Sequence, residues 1–308
     1  MRVATRYLVR RGGAWRAPVA LVGALALQCV AIAGASADDS APPVDKSGYS
    51  LLNPTPDSAL RDFNPDRPGR ITGPFTIDAG RLDIESDLVN FLHSDVQGVT
   101  DRAFQVLDPT IKLGVTSNID VEMTLNGEDV VHQVQDASPA KARNLNGFGD
   151  VYLRAKINVL GDDGGDVALA FLPYIKLPAD NAASLALGDN AVEGGGLATA
   201  QFKLPKDFQL GLQTEVDALK GGMDSDRHAN FVNIAALSHE VPDIKNLTAT
   251  GEIYSSVSTD RYTPDIYTAD VALAYLVTPS TQLDGGANFG LNRDAPDVQL
   301  YAGISKRF

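Results

Sequence analysis

The 308-residue chain carries 39 acidic and 26 basic side chains and a net charge of −13 at neutral pH. This excess of negative charge argues against nucleic-acid binding, which requires lysines and arginines to neutralise phosphates. The single cysteine, Cys29, excludes an intrachain disulfide and a site built from several thiolates.

Residues 1–37 have the layout of a cleavable signal peptide. Five arginines and no acidic residue accompany an apolar run over residues 18–34, which ends at the small residues Ala35-Ser36-Ala37. A retained membrane anchor is the alternative, but the run is short for a helix that spans a bilayer. Cleavage removes Cys29, the only tryptophan and the five arginines, and leaves 21 basic residues against 39 acidic ones.

Residues 38–75 show no sustained hydrophobic period and contain seven prolines. Proline fixes φ and removes a backbone donor, so this stretch is a poor source of paired strands. The composition predicts an extended periplasmic N-terminal arm.

From residue 76 to residue 308 apolar and polar residues alternate, which is typical of strands with one apolar face. In residues 119–125, for example, Ile119, Val121 and Met123 alternate with Asp120 and Glu122. No apolar run beyond residue 38 is long enough for a transmembrane helix, so a membrane crossing requires a closed barrel. Twelve strands are predicted: 80–91, 104–116, 119–126, 148–160, 166–177, 196–204, 208–218, 230–240, 247–255, 266–277, 282–291 and 298–308.

The predicted connections alternate in length along the chain. Residues 92–103, 127–147 and 178–195 form long loops, whereas residues 117–118 and 205–207 form short turns. Transmembrane barrels sort their connections in this way, with short periplasmic turns and long outer loops. A soluble β-sandwich is the alternative. However, nothing in a sandwich makes long and short connections alternate along the chain, and its strands are usually shorter. The prediction is therefore all-β: an outer-membrane, up-and-down antiparallel β-barrel of about twelve strands over residues 76–308.

The alternation also assigns the two faces of the wall. The apolar set should face lipid, and it includes Val151, Leu153, Ile157, Leu210, Leu212 and Val271. The polar set should line the pore, and its candidates are Asp83, Glu85, Asp120, Glu122, Arg154, Lys156, Glu215, Asp217, Glu252 and Asp270. Adding Asp87, Asp284, Lys112 and Arg307 gives ten acidic residues against four basic ones, which predicts a cation preference. The alternative is that acidic and basic residues pair across the lumen and plug it.

The sequence offers no catalytic constellation, and no catalytic residue, cofactor or metal ligand is predicted. Ser238 and His239 are adjacent on a predicted strand, so they point to opposite faces and cannot act as nucleophile and base. An outer-membrane hydrolase is the enzymatic alternative.

The last strand ends in Phe308, with apolar residues at matching parity along most of that strand. A C-terminal aromatic on an alternating strand resembles the signal read by the outer-membrane assembly machinery. The expected partners are therefore outer-membrane lipid, that machinery and a small-molecule solute.

Several segments resemble the outer-membrane transporter family named for the meta-pathway of phenol degradation. They are DRPGRITGPFTIDAG at 66–80, DPTIKLGVTSNIDVEM at 108–123, FLPYIKLP at 171–178 and LSHE at 237–240. The resemblance covers about residues 64–308. It implies a barrel that passively admits small solutes, including aromatic or other hydrophobic ones, and leaves open a barrel with only a structural or surface-interaction role.

Overall fold

A computed structural model describes residues 45–96, 98–126, 128–135, 143–179, 191–221 and 226–308. The predicted signal peptide, residues 1–37, lies outside these ranges. Within them, no helix is long and apolar enough to cross a membrane.

The described chain forms one antiparallel sheet of fifteen strand segments. In chain order they are β1 (Leu82–Val96), β2 (Val99–Val106), β3 (Asp108–Thr116), β4 (Ile119–Leu125), β5 (Glu128–Gln135), β6 (Arg143–Phe148), β7 (Val151–Leu160), β8 (Val167–Leu177), β9 (Glu193–Lys203), β10 (Gln209–Lys220), β11 (Arg227–Glu240), β12 (Leu247–Ser258), β13 (Ile266–Thr278), β14 (Thr281–Gly290) and β15 (Val298–Arg307).

Pairing of the first strand with the last closes the sheet into a barrel. The register of β1 and β15 runs from Asp83 opposite Arg307 to His93 opposite Val298. Twelve strands complete the ring, because β2, β5 and β6 continue β3, β4 and β7 and are not additional members of it. β2 pairs with β1 on the same side as β3, β5 pairs with β2, and β6 pairs with β5. The prediction of a twelve-stranded barrel is confirmed.

The prediction of long loops at 92–103 and 127–147 was wrong over most of their lengths. β1 runs on to Val96 and returns through β2, and β5 and β6 occupy much of the second region. Leu107 separates β2 from β3 with a φ of 57°. Both faces of β2 mix polar and apolar residues, so its sequence lacks a clear period of two even though its backbone is fully paired.

Polarity across the wall is the reverse of that in a water-soluble protein. Leu153 and Val271 are exposed on the outside, whereas Lys156, Glu252 and Asp270 are buried on the inside. Exposed aromatic residues stand near the strand ends, among them Tyr267, Tyr275, Phe289 and Phe308. This arrangement excludes the soluble β-sandwich and matches a wall that contacts lipid.

The connections sort to two ends of the barrel, as predicted. Residues 117–118, 161–166, 204–208, 241–246 and 279–280 link strands at one end, called here the short-turn end. Residues 259–265 and 291–297, together with Gly221 and Asp226, belong to the opposite, long-loop end. Most of the predicted loop 178–195 lies outside the described residues.

The cost of a charge on the outer face should depend on its depth in the membrane. Val271 lies midway along β13 and is 57% exposed, whereas Val277 lies near the end of the same strand and is 49% exposed. We expect Val271→Arg to lower the free energy of unfolding by about 2–4 kcal/mol and Val277→Arg by at most about 1 kcal/mol. Urea unfolding of the protein in lipid vesicles measures both values. Equal costs at the two sites would contradict a lipid-facing wall.

Candidate functional site: the barrel lumen and its internal segment

Residues 61–78, called here the internal segment, enter the barrel from the short-turn end and return to it. At the start of the segment, the Arg61 guanidinium donates to the carbonyl of Ser117 and contacts Asp163, and both partners belong to short turns. At its apex, the Thr72 amide donates to Gln213 at 2.8 Å, midway along β10. This part of the predicted periplasmic arm therefore lies within the ring of strands and does not extend away from it.

Asp66 ties the internal segment to the wall formed by β3 and β7. Its carboxylate accepts from Lys112 Nζ at 2.5 Å and from Lys156 Nζ at 2.9 Å. Lys112 also contacts Glu85 on β1 at 2.5 Å. Burial by itself would raise the pKa of Asp66, but the two lysines outweigh it and hold the pKa well below the usual range.

Arg67 makes a second ionic attachment, to β1 and β14. Its guanidinium contacts Asp87 at 2.6 Å and Asp284 on β14 at 2.7 Å. Burial opposes the charged form, yet these two carboxylates raise the pKa of Arg67 above its ordinary value. Gly303 on β15 faces the guanidinium so closely that a β-carbon there would overlap it. The wall therefore needs a glycine at the point where Arg67 lies against it.

At the apex, wall side chains satisfy the backbone of the segment. The Glu252 carboxylate accepts from the Arg70 amide at 3.1 Å and from the Ile71 amide at 2.9 Å. Three strands further round the ring, on β9, the Thr199 hydroxyl donates to the Thr72 carbonyl at 2.6 Å. These contacts replace the hydrogen bonds that an irregular segment cannot make with itself.

The returning half of the segment is held in the same way. Asn158 on β7 donates to the Pro74 carbonyl at 2.8 Å, and the Ile77 amide donates to Asp120 on β4 at 2.9 Å. The Thr76 amide donates to Asp162 at 2.9 Å. The internal segment is thus attached to strands around the whole lumen.

The ten predicted pore-lining residues all lie at inward-facing positions of their strands. Of these, Glu85, Asp120, Lys156 and Glu252 contact the internal segment. Others are paired along the wall, for example Asp270, which accepts from Tyr301 at 2.8 Å, and Asp217, which accepts from Tyr174 at 2.6 Å. Asp83 differs, because both of its carboxylate oxygens are buried without a hydrogen-bond partner among the described residues. That these residues line an open path stays a prediction.

Sequence reasoning missed the lumenal charges that the segment itself contributes, Asp66, Arg67 and Arg70. The candidate pore-lining set also omitted four tyrosines at inward positions: Tyr152, Tyr174, Tyr254 and Tyr301. The tyrosines could have been found from the sequence, because each lies an even number of residues from the other inward-facing residues of its strand. The segment has no such period, and only its charged motif at residues 66–70 distinguishes it from a linker.

Ser238 and His239 are separated as the sequence predicted. The Ser238 hydroxyl bonds Thr250 at 2.9 Å, whereas the His239 ring lies against Phe208 and bonds the Lys206 carbonyl. The two side chains do not form a nucleophile–base pair.

Comparison with known proteins identifies relatives of this barrel. The family described as "Putative MetA-pathway of phenol degradation" matches residues 65–308. An outer membrane channel from Pseudomonas putida F1 superposes with a TM-score of 0.55 and 15% identity, covering 74% of this chain and 95% of that one. The NanC porin covers 73% of this chain and 98% of its own at 10% identity, with a TM-score of 0.46. Among curated proteins, none matches.

Loss of the Asp66 carboxylate should destabilise the protein. Asp66→Asn leaves Lys112 and Lys156, which are 2% and 1% exposed, without one of their partners. Removing one partner from a buried ion pair costs about 3–5 kcal/mol, so we expect a loss near the lower figure. Denaturant unfolding measures it, with Asp62→Asn, an exposed acid of the same segment, as the control. Equal stability of the two variants would contradict the attachment.

The same attachment should weaken in acid. Because the pKa of Asp66 is lowered in the fold, its ion pairs stabilise the protein fully above the ordinary aspartate pKa, about 3.9, and progressively less below it. Hydrogen exchange at the Gly73 amide, which donates to the Asp66 carboxylate at 2.8 Å, should therefore be slow from pH 7 to 5, after correction for intrinsic rates, and become faster below about pH 4. Loosening that is complete by pH 5 would rule out control by Asp66.

Proposed function

Because this chain belongs to the MetA-pathway of phenol degradation family, we propose that it is an outer-membrane channel for small solutes. Its barrel shares the fold of the Pseudomonas putida F1 outer membrane channel. The exposed apolar wall supports insertion into the outer membrane, and the family name favours aromatic or other hydrophobic solutes. Passage is passive in this proposal, and the chain has no enzymatic role.

The observation that carries this proposal is the polar inner wall. Polar and charged side chains are buried on inward positions of nearly every barrel strand, from Asp83 on β1 to Gln299 on β15. A barrel with only a structural role has no need of such a wall, because apolar packing would stabilise it at lower desolvation cost. A polar lining is what a water-filled path between the two barrel ends requires.

The internal segment favours a second candidate, a barrel that does not conduct. Its contacts with β1, β3, β7, β12 and β14 bridge the lumen from several sides. In the channel proposal, solute passes beside this segment or after it moves. In the second candidate, the segment is a permanent filling and the barrel has a structural or surface-interaction role.

Assembly is proposed to follow the usual outer-membrane route. Residues 1–37 direct export and are then removed, and the assembly machinery recognises the terminal strand through Phe308. The Phe308 side chain is exposed on the outer face, and the Lys306 ammonium lies 5.5 Å from its ring centroid. An aromatic residue and a lysine at a strand end suit the membrane interface.

Ion selectivity tests the channel proposal. Glu215 and Asp217 lie at inward positions of β10, towards the long-loop end. We expect planar-bilayer currents with a cation preference, because acidic residues outnumber basic ones among the inward positions. The double variant Glu215→Gln, Asp217→Asn should move the reversal potential in a salt gradient towards zero, while Asp243→Asn in a short turn should not. Absence of single-channel current would favour the non-conducting barrel, and clear anion selectivity would contradict the charge argument.

A further inference from the structure

Two tyrosines and an arginine form a contiguous patch inside the barrel near the long-loop end. Tyr152 and Arg154 are successive inward residues of β7, and Arg154 is the cross-strand partner of Tyr174 on β8. The two tyrosine ring centroids are 6.0 Å apart, with an interplanar angle of 42°. The Arg154 Cζ atom lies 5.4 Å from the Tyr152 ring centroid.

We propose that Tyr152, Arg154 and Tyr174 form a binding subsite for a small planar aromatic carboxylate. The inference rests on the proposed channel function and adds to it a chemical class of solute and a place where that solute is held. Benzoate is the simplest molecule of the class.

The charge of Arg154 is more available than that of the three lumenal lysines. Its side chain is 29% exposed, whereas those of Lys112, Lys156 and Lys176 are exposed by 2%, 1% and 6%. Those three lysines contact carboxylates at 3.0 Å or less. Arg154 approaches Glu122 only to 3.8 Å, and Glu122 is also 3.5 Å from Lys156.

The donors of Arg154 suit a carboxylate. Its described contacts with Thr124 and Glu122 both use Nη1. A guanidinium offers five N–H donors in a planar fork that fits the two oxygens of a carboxylate. A carboxylate that binds the remaining donors gains two charge-assisted hydrogen bonds without displacing Thr124.

The tyrosines suit the ring of the same ligand. Aromatic rings pair favourably in stacked or edge-to-face arrangements at centroid separations of about 4.5–7 Å. The Tyr174 hydroxyl donates to Asp217 at 2.6 Å, which fixes the ring on the wall. A ligand whose ring lies beside Tyr152 and Tyr174 has its carboxylate within reach of Arg154. A purely aliphatic acid gains the contact with Arg154 but not the contacts with the tyrosine rings.

The position of the patch relative to the internal segment is consistent with an entrance site. From the long-loop end, the inward residues of β7 are Tyr152, Arg154, Lys156 and Asn158. The segment binds Lys156 through Asp66 and Asn158 through the Pro74 carbonyl. The patch therefore lies just beyond the segment, where a solute from the long-loop end arrives first.

Equilibrium dialysis of labelled benzoate against the purified protein in detergent tests the subsite without requiring conduction. We expect saturable binding, competed weakly by cyclohexanecarboxylate and by benzyl alcohol, which each lack one recognised group. Arg154→Gln should weaken benzoate binding about tenfold or more, as expected for loss of a charged hydrogen-bond partner. The benzoate affinity of Arg154→Lys should lie between those of the wild type and Arg154→Gln, because lysine keeps the positive charge but lacks the planar pair of donors.

Matched variants separate recognition from folding. Tyr152→Phe should retain most of the affinity and Tyr152→Leu should lose it, since only the first keeps the ring. Arg102→Gln, at an exposed position of β2, is the control for loss of an arginine and should bind normally. Circular dichroism and heat-modified gel mobility verify that each variant forms the barrel.

The results distinguish this inference from the channel proposal. Benzoate binding that depends on Arg154, in a protein that gives no current in planar bilayers, would support the subsite and overturn the channel. Currents without saturable benzoate binding would overturn the subsite and leave the channel. Equal binding of benzoate and benzyl alcohol, or unchanged binding in Arg154→Gln, would also overturn the subsite.

Discussion

Every backbone N–H and C=O group at membrane depth must find its partner inside the protein, and the pairing of β1 with β15 meets this requirement for the whole sheet. An open twelve-stranded sheet would leave two edges of unpaired groups in lipid. Closure removes both edges and produces an inside and an outside. The outer face then has to be apolar, and the inner face is free to carry the charges that function requires.

Buried charges create a second constraint, because each must be paired or lose its charge. The inner wall has more carboxylates than cations, and the internal segment supplies one arginine and backbone amides to them. Arg67 joins Asp87 and Asp284, and the amides of Arg70 and Ile71 serve Glu252. The segment therefore stabilises the wall as much as the wall orders the segment, although irregular backbone inside a barrel is normally costly.

The two sets of lumenal contacts differ in what they leave accessible. Near Asp66, lysines and carboxylates neutralise one another and are closed to solvent. Near Tyr152 and Arg154, the ion pair is longer and the guanidinium is partly open. Tight pairing suits a structural attachment, whereas partial pairing beside aromatic rings suits transient contact with a solute. The same strand, β7, carries both arrangements two residues apart.

Much of this architecture follows from the sequence alone. A period of two fixes which residues of β7, β10 and β13 face lipid, and the alternation of long and short connections fixes the up-and-down order, because both depend on neighbours along the chain. Most of β2, β5 and β6 was not predicted, because their sequences lack that period.

The path of residues 61–78 was decided by tertiary structure. Arg67 meets Asp284 and Arg70 meets Gln299, partners more than 200 residues away. No local pattern encodes contacts at such separations, and only closure of the barrel creates the lumen in which they form. The sequence by itself determined most of the strands, their faces and their order. The closed ring decided which inward charges meet and where the internal segment lies, because buried charges pair with the groups that are close to them in space.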